Sequence, residues 1–106
     1  MTNEQRLAIE EEIIEVLKTV FDPEMPVDVW NLGMIYKIDV GDDKHVDIDM
    51  TLTAPNCPAA DYIVGDVKTK VESLDSIDSA TVNLVFEPIW NYNMMSEEAR
   101  VELGFD

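Results

Sequence analysis

Val46-Asp47-Ile48-Asp49-Met50-Thr51-Leu52-Thr53, continuing through Ala54-Pro55-Asn56-Cys57 into Pro58, is the stretch whose reading decides the fold. Apolar Val46, Ile48, Met50 and Leu52 alternate with polar Asp47, Asp49, Thr51 and Thr53, the period-two pattern of a strand with one buried face. A proline-containing turn ends that strand at Thr53. A helical pattern starts at Pro58, because proline suits the first helical position, where its missing N–H would have had no intrahelical partner. The only cysteine of the chain, Cys57, therefore falls at or beside a helix N-cap. Free N–H groups and the helix dipole favour negative charge there, which lowers a thiol pKa and favours the thiolate, the form that ligates metals and attacks electrophiles. A buried cysteine acting as a small hydrophobe is the plain alternative.

Working outward, Thr2 and Gln5 fit a capping box that opens a first helix. Ile9, Ile13, Val16, Leu17 and Val20 recur at helical spacing, and Asp22-Pro23 is the expected end of that helix. Pro23 to Gly33 reads as an ordered loop. Tyr36, Ile38 and Val40 alternate with Lys37 and Asp39 in a first strand, and Gly41-Asp42-Asp43-Lys44 is the turn into the second. After Pro58, Ala60, Ile63, Val64, Val67, Val71 and Leu74 make the apolar stripe of a second helix, with Asp61 in its favourable first turn. Ala80, Val82, Leu84 and Phe86 give a third strand. Ser96 with Glu97 and Glu98 starts a short last helix that Gly104 ends.

The expected architecture is thus α/β in two layers, α-β-β-α-β-α, with a small three-stranded mixed sheet packed on helices and one domain spanning 1–106. Strands one and two form a hairpin. The helical crossover makes strand three parallel to strand two with a right-handed connection. The pattern leaves the strand order open.

Composition excludes several function classes. With 23 acidic against 7 basic residues the net charge is −16. Affinity for nucleic acid rests on a basic surface, so DNA, RNA and anionic membranes are not expected partners. No apolar run approaches the roughly 20 residues that span a bilayer, no signal peptide is visible, and a lone free thiol suits a reducing compartment. A cytoplasmic location is expected. The run Glu10-Glu11-Glu12 with Glu15 reads as a solvated helix face.

A cysteine enzyme needs a base within hydrogen-bonding reach of its thiol. His45, the only histidine, stands at the far end of strand two, roughly 25 Å away at about 3.3 Å per residue. It reads as a solvated turn residue, and no catalytic set is expected. A metal or cluster site built by one chain usually takes about four ligands, so any metal at Cys57 is transient or shared. Asp22 and Glu24 are the nearest oxygen donors by type, with turn chemistry as the alternative. Thr51 and Thr53 project from one face of the strand that delivers Cys57, where they either assist a ligand or simply occupy a solvent face. Phe86 to Met95 gathers Trp90, Tyr92, Met94 and Met95, a stretch suited to lid packing or to gripping a partner.

Asp22-Pro23-Glu24-Met25-Pro26-Val27 with Asn31-Leu32-Gly33-Met34-Ile35-Tyr36, then Met50 to Pro58, then Trp90 and Met95-Ser96-Glu97-Glu98-Ala99-Arg100 with Leu103-Gly104, together resemble the SufT/PaaD-like family of iron–sulfur cluster assembly domains. The resemblance covers Asp22 to Phe105. It implies the same two-layer fold and a maturation factor acting as adaptor or transient carrier through Cys57, with Asp22, Glu24, Thr51 and Thr53 in support. The implied cargo is a transient iron–sulfur cluster or iron, held stably by no isolated monomer. The implied partners are cluster assembly or carrier proteins and apo client proteins; the ligand count at Cys57, not the resemblance, adds a second copy of the chain or a small thiol as alternative sharers of a cluster. Asn31 stands where many relatives carry Asp. The chain shows neither the cysteine-rich C-terminal part of the phenylacetate branch nor a phosphate-binding glycine loop, which matches the short stand-alone type. Two further readings stay open: a thiol-dependent enzyme, and a protein–protein adaptor with a chemically inert cysteine.

Overall fold

The computed structural model describes residues 1–23, 25–53 and 60–104. The expected turn at Pro55, the helix start at Pro58, and Cys57 and Glu24 lie outside them. In chain order come α1 (Asn3–Leu17), β1 (Ile35–Val40), β2 (His45–Met50), α2 (Ala60–Glu72), β3 (Ser79–Leu84), a 3-10 turn (Tyr92–Met94) and α3 (Glu97–Leu103). The sheet order is β1-β2-β3, with β1 antiparallel and β3 parallel to a central β2. This small α+β arrangement is the one the periodicities predict, and it supplies the strand order they leave open.

The first helix begins as expected. Thr2 Oγ1 accepts from the Gln5 N–H at 3.1 Å while Gln5 Oε1 accepts from the Thr2 N–H at 2.9 Å. It ends at Leu17, well before Asp22-Pro23. The reason is tertiary: the Val20 carbonyl accepts from the Val29 N–H at 2.8 Å and Phe21 bridges Asp28, so this part of the chain pairs with a loop instead of continuing the helix. Val20 still reaches the core from outside the helix, fully buried. The Arg6 guanidinium clamps the other end, donating to the Val40 carbonyl at 3.0 Å and to Asp42 at 2.8 Å.

The core lies between the sheet and the two long helices. Ile13 and Leu17 of α1, Val46, Ile48 and Met50 of β2, and Ile63, Val67 and Val71 of α2 have no solvent exposure. Each side chain of this size stabilises the fold by about 1.5–3 kcal/mol on burial, and α1, α2 and the sheet meet one another through them. Two strand readings need correction. The ladder slips between Ile35 and Lys37, where the register shifts. Ile35 therefore pairs with Met50 in the core row, and Tyr36 does not share a face with Ile38 and Val40. At the other edge β3 ends at Leu84, and both Leu84 and Phe86 are exposed, although the pattern places them inside.

Helix α3 closes the 21–34 loop. Ser96 caps it by accepting from the Ala99 N–H at 3.1 Å, and Gly104 ends it with φ +80°. The Ser96 hydroxyl donates to Asn31 Oδ1 at 2.9 Å, while the Ser96 N–H donates to the Asn31 carbonyl at 2.8 Å.

Candidate functional site

Strand β2 delivers the chain towards Cys57, and its exit is clamped on both sides. The Met50 carbonyl accepts from the Val85 N–H at 2.8 Å, and the Thr51 N–H donates to the Met34 carbonyl at 2.8 Å. The polar–apolar alternation expected to run to Thr53 stops at Met50, where the regular strand ends. Met50, Thr51 and Leu52 are buried consecutively. Thr51 is thus not on a solvent face. It belongs to the outward row of β2 with Asp47 and Asp49, but here the returning segment after β3 lies over that row.

The cover is built from Tyr36, Pro88 and Met94. Freed by the register shift, the Tyr36 hydroxyl donates to the Pro88 carbonyl at 2.7 Å and lies 3.3 Å from the Met94 sulfur. Burial pushes the Tyr36 hydroxyl pKa above its ordinary value, and the neighbouring Thr51 side chain pulls it partly back. Thr51 Oγ1 is buried beside it without a partner in good hydrogen-bond geometry. Gly33 permits the close approach of this cover. Its φ is +78°, and a Cβ there would stand 2.2 Å from the Met94 carbonyl oxygen. Trp90 anchors the same segment, its indole donating to the Leu32 carbonyl at 2.7 Å and its ring meeting Tyr92 edge-on at 5.4 Å.

Thr53, half-buried, and Ala60, the first residue of α2 described, flank the stretch that carries Cys57. Asp61 occupies the first turn of α2. Asp22 is buried and engaged, and its carbonyl accepts from the Met25 N–H at 3.2 Å. The structure therefore aligns Thr51 and Thr53 on the strand exit and gives Asp22 a place in the loop after α1. Among the described residues no group of three or more His, Cys, Asp or Glu side chains can hold a metal ion.

His45 is more than a solvated turn residue. It opens β2, half-buried, with Nδ1 2.6 Å from Ser79 Oγ and Nε2 3.0 Å from Thr81 Oγ1. Both ring nitrogens are committed to β3. The five residue steps of β2 from His45 to Met50 put about 17 Å of strand between it and the exit that leads to Cys57.

Two features escape sequence reading. The clip Asp28–Asn31–Ser96 joins residues 65 positions apart, and no local pattern announces it. The Tyr36–Pro88–Met94 cover depends on a ladder slip that strict alternation hides, although Gly33 just before β1 is a visible sign of close backbone approach.

With this geometry in place, the relationships of the chain are clear. It belongs to the iron-sulfur cluster assembly protein family, which matches residues 10–84, from within α1 to the end of β3. It is 56% identical over 103 residues to the Fe-S protein maturation auxiliary factor of Porphyromonas gingivalis, covering 97% of this chain and 98% of that one. It is 41% identical over 85 residues to the Fe-S protein maturation auxiliary factor SufT of Staphylococcus aureus, covering 80% and 97%. The crystal structure of a DUF59 domain from Bacillus anthracis superposes with a TM-score of 0.88 at 35% identity, covering 93% of this chain and 94% of that one. Among the described residues no helix is long and apolar enough to cross a membrane.

Proposed function

We propose that this chain assists the maturation of iron–sulfur proteins in the cytoplasm, as an adaptor or transient carrier that handles its cargo through Cys57 and performs no catalysis by itself. The observation that carries the reading is family membership across residues 10–84, a span that includes the cysteine stretch, together with likeness over nearly the whole chain to a protein named as a maturation factor. The local build supports it. A clamped strand exit and the α2 turn bearing Asp61 hold the two flanks of a six-residue stretch, 54–59, containing the only thiol.

A lone thiolate cannot complete the coordination of a cluster, which usually takes four protein ligands. The cargo is therefore shared with a second copy, a small thiol, or a carrier or client protein. Asp22 and Glu24 supply oxygen ligation if their loop reaches the start of α2, and Thr51 and Thr53 support the strand exit. Committed to Ser79 and Thr81 at the opposite end of β2, His45 is badly placed as a base for a thiol enzyme.

The test is replacement of the native gene by Cys57→Ala and Cys57→Ser, with client iron–sulfur enzyme activities read in cells and anaerobic reconstitution read by absorbance and iron content. Both variants are expected to stay folded and to lose maturation. Cluster content should rise with dimer or complex formation in size-exclusion chromatography. Normal client activity with a stable Cys57→Ala protein leaves the adaptor with an inert cysteine. A loss of several kcal/mol in stability marks a buried core cysteine instead.

A further inference from the structure

Both long helices pack on one face of the sheet, since α1 meets β1, α2 meets β3 and the helices meet each other. The other face carries Lys37 and Asp39 of β1 opposite Asp49 and Asp47 of β2. Towards the exit of β2 it deepens into an open groove of about 590 Å³. Its walls are Tyr36, Val85, Pro88 and Met94, and its charged rim is Lys37, Asp49 and Glu87.

Two observations on this face lack an internal explanation. Asp39 stands directly opposite Asp47, and like charges across a ladder are destabilising. Lys37 is the register partner of Asp49, yet Asp49 accepts from Asn83 Nδ2 at 3.1 Å and no ion pair holds Lys37 among the described residues. Next to these, Phe86 and Ile89 are 43% and 73% exposed.

We propose that this groove seats an extended segment of a partner protein, with an aliphatic side chain between Val85 and Met94 and Lys or Arg residues on either side. The basic residues face Asp39 with Asp47 at one end and Glu87 at the other. Their charge relieves the Asp39–Asp47 repulsion, which no ion pair among the described residues offsets beyond the 3.7 Å approach of His45 to Asp47. Lys37 is left to meet backbone carbonyls of the segment. A phosphate-bearing ligand is disfavoured by the same carboxylates, and the volume falls in the range of about 300–1,000 Å³ typical of binding clefts. The proposal stands apart from the maturation reading, because it uses no thiol and no cluster.

The probe is a fluorescein-labelled heptapeptide of alternating Lys and Ile, compared with its Lys/Ser and Glu/Ile counterparts by anisotropy and by amide chemical-shift mapping. The Lys/Ile peptide should saturate, shift the amides of 35–39, Asp49 and Val85, and bind Cys57→Ser protein equally well. Asp39→Asn with Asp47→Asn, which removes a repulsion and so keeps the fold, should weaken binding about fivefold, as expected for loss of one exposed charge pair. Val85→Glu should weaken it further, with amide dispersion reporting its fold. Glu11→Gln with Glu15→Gln on α1 should leave affinity unchanged within about twofold. Shifts mapping to α1, equal binding of the Lys/Ser peptide, or an equal loss in the α1 variant overturns the proposal. So does groove occupancy that follows protein concentration alone, which identifies a second copy as the occupant.

Discussion

Replacing Gly33 by Ala tests the architecture around the β2 exit with a single methyl group. The residue has φ +78°, a left-handed geometry that costs an L-residue about 1–2 kcal/mol. The new Cβ would lie 2.2 Å from the Met94 carbonyl oxygen and 2.7 Å from its carbon. These are backbone atoms, held by the 3-10 turn and by the Ser96 N–H bond to Asn31. Relief therefore means lifting the whole cover, with the Trp90 and Tyr36 anchors, at an overpacking cost of about 1–3 kcal/mol. The sum is about 2–5 kcal/mol, a large share of the roughly 5–15 kcal/mol that stabilises a domain. Urea unfolding followed by tryptophan fluorescence measures it. With a slope of about 1–3 kcal/mol/M the midpoint should fall by at least about 0.7 M. Gly65→Ala is the matched control: it lies in α2 with nothing within 4 Å of the added Cβ, so it should raise stability by about 1 kcal/mol. A Gly33→Ala protein within about 1 kcal/mol of wild type refutes the reasoning, because strain at φ alone reaches that value.

Asn31→Asp should cost about 1–3 kcal/mol at neutral pH. The amide that donates to Asp28 at 2.9 Å is lost and a like charge faces it, while the oxygen accepting from Ser96 is kept. Urea midpoints of the variant and wild type at neutral pH measure the defect. Glu72 is held below the ordinary glutamate pKa by its hydrogen bond from Lys68 at 2.7 Å, then by the Ala80 N–H at 3.0 Å. A depressed folded-state pKa gives stability that is present above the unfolded value of about 4.3 and lost as pH falls through the folded one. The wild-type advantage over Glu72→Gln should accordingly be constant near neutrality and vanish in acid. Tyr36→Phe should lose about 1 kcal/mol with the Pro88 bond. It should also remove from the ultraviolet titration a tyrosine ionising above about 10, whose stabilising effect is present below that pH and fades as pH rises through the raised value.

The sequence by itself determined the order of helices and strands, the caps and the core row of β2. Thr2 with Gln5, Ser96 and Gly104 act within a few residues of themselves, where side chain and backbone meet whatever the rest of the chain does. The period-two run of β2 and the helical stripe of α2 state which face is buried, because burial is the dominant favourable term and repeats with the local geometry. The place of Cys57 before Pro58 and the donors near it in sequence, joined by the family-like motifs, made Cys57, Asp22, Glu24, Thr51 and Thr53 candidates. Only the tertiary structure decided the rest. It placed β2 in the centre, ended α1 at Leu17 so that Val20 could bond Val29, and rotated Tyr36 out of the core row through a ladder slip. It also turned Thr51 from an outward strand residue into a buried one. That outcome depends on Pro88 and Met94, some forty residues along the chain, and a contact at that separation leaves no periodic trace in either segment.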